Sequence, residues 1–130
     1  MTTAKGSFEV TSWDEETYEE RGSAKLTRAQ VGQRFEGDVA GDGAAQWLMS
    51  YRPDGTARFV GLQRVTGEIG GRKGSFVLET IGDFDGSVAK WDASVVEGSG
   101  ADGLEGLTGG GSFEAPMGST ASFTLDYRLG

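Results

Sequence analysis

Arg64 and Glu79 are the two side chains of this sequence whose types and spacing most directly suggest chemistry. A turn centred on Gly71-Arg72 would pair two successive strands and place Arg64 opposite Glu79. If both were buried, the guanidinium would stabilise negative charge developing on a carbonyl, and the carboxylate would move a proton. The alternative is an ordinary cross-strand ion pair, which is common on sheets. We therefore name Arg64 and Glu79 as candidate catalytic residues and leave both interpretations open.

Composition excludes most other catalytic chemistry. The 130 residues include no cysteine and no histidine, so thiolate nucleophiles, histidine-based triads and the usual zinc sites are excluded. The segment Gly98–Gly103 matches the spacing GxGxxG, but the glycine-rich residues after it cannot form the helix that a dinucleotide site requires. The sequence accordingly predicts neither a metal site nor a cofactor.

Alternating apolar residues between glycine-rich turns predict an all-β fold. Aromatic, valine and leucine side chains recur at every second position, and turn residues separate these segments. The acidic segment Asp14–Glu20 is predicted to be a solvated loop. Short turns between consecutive strands favour a closed antiparallel up-and-down barrel of about eight strands. The predicted single domain spans residues 1–130, with strands over residues 7–13, 25–35, 46–51, 57–65, 75–81, 89–96, 104–113 and 121–127.

The Asp54-Gly55 dipeptide sets the predicted register, because it is typical of two-residue hairpin turns. This register collects one mixed aromatic and apolar face, which suits a ligand cavity. The opposite face, which carries Phe59 and several glycines, is the alternative lining, since glycine helps a small barrel to curve and close. On the first choice, the candidate ligand-binding residues are Trp47, Met49, Tyr51 and Leu62.

The charge of the chain restricts its partners. The net charge is −8 and the isoelectric point is about 4.5, so nucleic acid and anionic membranes would be repelled. The first residues lack the apolar run of a signal peptide, and we expect a cytoplasmic protein. Both faces of the predicted strands are substantially apolar, which favours a homo-oligomer.

Several motifs together resemble a known family of small bacterial proteins. They are Gly6–Val10, Lys25–Arg28, Tyr51–Gly55, Gly74–Leu78 and Gly98–Phe113. In this order they are similar to domain-of-unknown-function family 3224 along nearly the whole chain. The resemblance implies an allene-oxide-cyclase-like, calycin-like barrel, but it carries no catalytic residue onto this sequence. At position 80, where some relatives would be expected to have histidine, this chain has Thr80.

Three functions follow from these observations. The first is a small-molecule binding barrel whose apolar lumen takes a hydrophobic or amphipathic metabolite. The second is a cofactor-independent cyclase or isomerase, which would hold its substrate in a reactive shape with Arg64 and Glu79 as polar assistance. The third is a structural or partner-binding protein whose lumen is filled by its own side chains.

Overall fold

The computed structural model describes residues 1–129, which form nine β-strands and no helix. No helix long and apolar enough to cross a membrane is found among these residues. Strands that are neighbours in the sheet pair antiparallel, and most of them are joined by short turns. The strands are β1 (Thr2–Arg21), β2 (Ala24–Gly37), β3 (Val39–Tyr51), β4 (Ala57–Ile69), β5 (Arg72–Phe84), β6 (Val88–Val95), β7 (Ala101–Asp102), β8 (Leu107–Pro116) and β9 (Ala121–Leu129).

The strands close into a barrel. Eight of them pair in a ring from β1 through β6 and then β8 to β9, and the β9–β1 pairing completes it. The two-residue β7 adds to one end of β5 as an extra strand. The predicted all-β, closed antiparallel barrel of eight strands is therefore confirmed.

The acidic segment Asp14–Glu20 lies in β1, so its prediction as a loop is wrong. Beyond Phe8, β1 pairs with β2 but no longer with β9, and this half of β1 is an edge of the sheet. A run of exposed carboxylates on an edge strand discourages pairing with another chain. The acidic residues thus mark a protected edge rather than a break in the strand.

The loop between β3 and β4 corrects the predicted register. Tyr51 pairs with Ala57, so five residues rather than two connect the strands. The Asp54 carboxylate accepts hydrogen bonds from the backbone N–H and the hydroxyl of Thr56, and the Arg52 N–H donates to the Thr56 carbonyl at 2.8 Å. Because side chains alternate along a strand, this longer loop exchanges the two faces of β4 and β5 relative to β3.

The lumen consequently combines parts of both predicted faces. Trp47 and Met49 of β3 are buried, as predicted, but they lie beside Phe59 of β4. Leu62 is 53% exposed on the outer wall, so its predicted place in the lumen is wrong. The alternative face is the correct one for β4 and β5, and it contributes Phe59, Gln63, Val65, Phe76, Leu78 and Thr80.

Aromatic rings fill the middle of the barrel. Trp91 stacks on Phe113 with ring centroids 5.2 Å apart, and it meets Trp47 edge-on at 5.1 Å. Each of these tryptophans faces a glycine on the neighbouring strand: Gly61 opposite Trp47 and Gly82 opposite Trp91. A Cβ atom at Gly61 would lie 2.7 Å from Trp47 Cδ1, so the missing side chain is what makes room for the indole.

One end of the barrel is closed and the other is open. Residues 96–106, between β6 and β8, fold against the start of β5, where the N–H of Gly103 donates to the Lys73 carbonyl at 2.9 Å. The side chains of Leu104 and Leu107 are fully buried there. The opposite end carries the β3–β4, β5–β6 and β8–β9 turns and contains the cavity described next.

Candidate ligand-binding lumen

An apolar cavity of about 360 Å³ opens at this second end of the barrel. Its volume lies in the range of small-molecule sites. Aromatic and aliphatic side chains make most of the wall, and no charged residue lines the cavity among the described residues. The lining residues are Val10, Trp13, Gln33, Trp47, Met49, Tyr51, Phe59, Phe84, Ala89, Trp91, Ala115, Pro116 and Met117.

Thr80 fixes one aromatic wall of the cavity. The Trp47 Nε1–H donates to Thr80 Oγ1 at 3.0 Å, and the Thr80 hydroxyl donates to the Gly61 carbonyl at 3.1 Å. All three residues lie on neighbouring strands of the β3–β4–β5 sheet. The indole of Trp47 is thereby held in one orientation between the cavity and the packed aromatic core.

Two buried hydrogen-bond donors on the cavity wall have no protein partner. Trp91 Nε1 is one, although the residue is only 4% exposed. The other is Gln33 Nε2: the Gln63 amide donates to Gln33 Oε1 at 2.7 Å, which leaves the Gln33 Nε2 donor and the Gln63 Oε1 acceptor without partners. Buried polar groups without a partner are rare in folded proteins, since each costs free energy. Both donors belong to residues that line the cavity.

A β-bulge brings two further side chains to the mouth. The β1–β2 register shifts between Val10 and Ser12, which leaves Thr11 without a partner. The bulge changes the alternation of β1, so that Val10 before it and Trp13 and Glu15 after it all lie on the lumen face. Trp13 then packs beside Trp47, with ring centroids 6.2 Å apart, and partly covers the opening.

Glu15 is the hydrogen-bond acceptor at the centre of the rim. Thr27 Oγ1 donates to its carboxylate at 2.6 Å, and Trp13 Nε1 donates to it at 3.0 Å. Burial opposes ionisation, but these bonds, the Tyr51 hydroxyl and the charge of Lys25 together hold the pKa of Glu15 below its usual 4.5. Glu15 is therefore ionised at neutral pH.

Tyr51 forms the other side of the rim. Burial, followed by the hydrogen bond to Glu15 and the charge of that carboxylate, raises the pKa of Tyr51 to about 12. The ammonium group of Lys25 lies 4.9 Å from the centre of the Tyr51 ring, on the neighbouring strand. The rim thus balances one anion with one cation around an otherwise aromatic opening.

The chain is similar to known proteins in both its sequence and its fold. A family model described as a protein of unknown function (DUF3224) matches residues 4–127. The chain belongs to the DUF3224 family. A solved structure of a DUF3224 protein of unknown function from Shewanella oneidensis MR-1 is similar, with a TM-score of 0.79 and 24% identity, covering 100% of this chain and 98% of that one. The search of curated proteins gives no match.

In this DUF3224 protein, Arg64 and Glu79 do not form the predicted pair. Arg64 is opposite Val77, and Glu79 is opposite Leu62. Both charged side chains are exposed on the outer wall. The longer β3–β4 loop turns these faces of β4 and β5 outward. Their predicted pairing is wrong, and neither residue reaches the cavity.

Three of the four predicted ligand-binding residues, Trp47, Met49 and Tyr51, line the DUF3224 cavity, and Leu62 does not. Sequence reasoning missed Glu15 and the unpaired donors of Gln33 and Trp91. Gln33 carried a usable signal, because a polar residue at an inward position between Val31 and Phe35 breaks the apolar pattern of β2. The bulge that turns Glu15 inward has no comparable sequence signature.

Proposed function

We propose that this protein binds a small hydrophobic or amphipathic molecule in the lumen of its barrel. The observation that carries the proposal is the open apolar cavity, whose wall includes the unpartnered donors of Trp91 and Gln33. A barrel that merely packed its own core would fill this end with side chains and satisfy those donors. A bound molecule would fill the open end of the barrel and accept hydrogen bonds from those donors.

The rim chemistry favours binding over proton-transfer catalysis. A general acid or base works best when its pKa lies near the operating pH. The pKa of Glu15 is lowered below 4.5, and that of Tyr51 is raised to about 12, so each moves away from neutrality. These two groups are better suited to hold the mouth in shape than to exchange protons with a substrate.

Dye displacement tests the proposal. An anilinonaphthalene sulfonamide dye without charge should gain fluorescence on entering the lumen, and medium-chain ketones and alcohols should displace it. Ala115 lies half-buried at the mouth and lines the cavity, so Ala115→Phe should block entry. Met117→Glu offers a second obstruction at a position that is 71% exposed, where folding is not at risk.

Leu62→Ser is the matched control, because it changes an exposed apolar residue on the outer wall. We expect it to leave dye uptake unchanged, while both mouth variants weaken uptake. Equal uptake by all four proteins would place the dye outside the lumen and refute the proposal. Failure of every apolar compound to bind wild-type protein would refute it as well.

A further inference from the structure

We propose that the lumen ligand is an uncharged apolar molecule with one carbonyl-type acceptor, which lies deep in the cavity against Trp91 and Gln33. This inference rests on the proposed function and specifies its ligand class. The indole N–H of Trp91 can only donate, so whatever satisfies it must be an acceptor. The free Gln33 Nε2 on β2 is a second donor on a residue that lines the cavity. A carbonyl oxygen has two lone pairs and no donor, so it matches either of these groups.

The charge of the site excludes a carboxylate in that position. No lysine or arginine lines the cavity among residues 1–129, and the wall offers only neutral donors. A buried anion without a cationic partner is far more costly than a buried carbonyl. At the rim, the ionised Glu15 offsets Lys25, and the chain as a whole carries a charge of −8. Anionic lipids and fatty acids are therefore the wrong class.

A cationic head group fits the deep site no better. An ammonium group has donors but no acceptor, so it would leave both Trp91 and Gln33 unpaired. Its only complementary group is Glu15, and that carboxylate already accepts hydrogen bonds from Thr27 and Trp13 at the mouth. A ketone, aldehyde, ester or amide with an apolar body matches the cavity, with its body packed against Trp47, Met49 and Phe59.

A matched ligand series tests this assignment. The series contains a medium-chain methyl ketone, the alkene with a methylene group in place of the ketone oxygen, and the carboxylate and primary amine of equal length. Affinities are measured by displacement of the uncharged naphthalene dye. We expect the ketone to bind about tenfold more tightly than the alkene, the effect of a net hydrogen bond near 1.4 kcal/mol. The carboxylate and the amine should bind more weakly than the ketone.

Two variants locate the acceptor. Trp91→Phe keeps an aromatic ring and removes the donor, and Gln33→Glu keeps the bond from Gln63 while removing the free amide. At least one of them should reduce the preference for ketone over alkene several-fold. Tyr18→Phe removes a hydroxyl from an exposed aromatic side chain outside the cavity, so it is the control and should leave that preference unchanged. Unchanged circular dichroism establishes that each variant is folded.

The outcomes separate this inference from the proposed function. If the alkene binds wild-type protein as tightly as the ketone, or if the carboxylate binds best, the acceptor assignment is overturned while lumen binding stands. The same holds if Trp91→Phe and Gln33→Glu both retain the full ketone preference. If no member of the series displaces the dye, the proposed function fails.

We also infer, from the outer wall alone, that a second copy of this chain packs on β3, β4 and β5. Leu48, Val60 and Ile81 are direct neighbours across these strands, and Leu62 lies beside them on β4. Their exposed fractions are 48%, 42%, 45% and 53%. A contiguous apolar strip of this kind on a sheet face is characteristic of an interaction surface.

The flanking charges select the occupant and its orientation. β4 contributes the cations Arg58 and Arg64, whereas β5 contributes the anions Asp83 and Glu79. Asp83 already forms ion pairs with Arg58 and Arg52 of the same chain, so Arg64 and Glu79 are the charges that remain to select a partner. A two-fold axis parallel to the strands lays β4 of one copy on β5 of the other, so Arg64 of each copy comes near Glu79 of the other. An axis across the strands would bring like charges together. The strip is therefore complementary to itself in the first of these two orientations. This complementarity favours a second copy of the chain as its partner.

Sedimentation velocity over the micromolar range tests this second inference. We expect a dimer for wild-type protein, a monomer for Leu62→Lys, and weakened association for Arg64→Glu. The double variant Arg64→Glu with Glu79→Arg restores unlike charges across the two-fold axis and should recover the dimer. A wild-type protein that is monomeric throughout the range, or a double variant that associates no better than Arg64→Glu, would overturn the inference.

Discussion

Thr80→Val is the substitution whose effect follows most directly from the cavity wall. Valine has the shape of threonine but no hydroxyl, so the variant removes the acceptor of Trp47 Nε1 and the donor to the Gly61 carbonyl. Thr80 is 2% exposed and Trp47 is 4% exposed, so water cannot replace the lost partner without entering the barrel. A buried group that loses its only partner costs about 1–3 kcal/mol.

Two smaller effects adjust this cost. The Gly61 carbonyl has a second lone pair, whereas the indole has a single donor. Losing the hydrogen bond to the carbonyl therefore costs less free energy than losing the one from the indole. The added methyl group contributes about 0.8 kcal/mol of hydrophobic stabilisation. We therefore expect the free energy of unfolding of Thr80→Val to fall by about 1–2 kcal/mol, measured by urea denaturation with circular dichroism detection.

A double-mutant cycle separates the hydrogen bond from general disruption. In a Trp47→Phe background the indole donor is absent, so the same Thr80→Val change should cost about 1 kcal/mol less than in wild type. Thr80→Ser keeps the hydroxyl, so its cost should be the same in both backgrounds. Equal costs of Thr80→Val in both backgrounds would refute the reasoning, because Thr80 would then act through packing alone.

Three further predictions concern packing, pH and the outer wall. Gly61→Ala should lower the free energy of unfolding by about 1–3 kcal/mol in urea denaturation, because the new Cβ would overlap Trp47 and the Gln46 carbonyl. A variant as stable as wild type would contradict this close approach of Gly61 to Trp47. Because the folded pKa of Glu15 is lowered, its stabilisation is present above pH 4.5 and is lost as the pH falls through the folded pKa. Glu15→Gln should therefore flatten the acid limb of the thermal stability profile, and an unchanged limb would exclude Glu15 as its source. Arg64→Ala and Glu79→Ala should leave the affinity of the lumen for the dye within about twofold of wild type. A large loss of affinity would show that these residues contribute to the binding site.

The architecture was predictable because it depends on patterns that are local in the sequence. Apolar alternation and regularly spaced turn residues indicate strands and short connections, and eight such segments in order close most simply as a meander. The burial of Trp47 and Met49 also follows from alternation along a single strand. These features need no knowledge of how neighbouring strands are aligned.

The site was only partly predictable because it depends on register. The five residues between Tyr51 and Ala57 in place of a two-residue turn were enough to move Leu62, Arg64 and Glu79 to the outer wall. The bulge at Thr11 had the opposite effect and brought Glu15 to the lumen side. Both events shift the alternation by one residue, a change that the composition of the strands does not reveal.

The most direct test of lumen binding is an experimental structure of the protein with the medium-chain methyl ketone. We expect ligand density in the cavity against Trp47 and Trp91, with the ketone oxygen within hydrogen-bond distance of Trp91 Nε1 or the Gln33 amide. Density confined to the outer wall, or a lumen filled by rearranged side chains with the ketone bound nowhere, would contradict it.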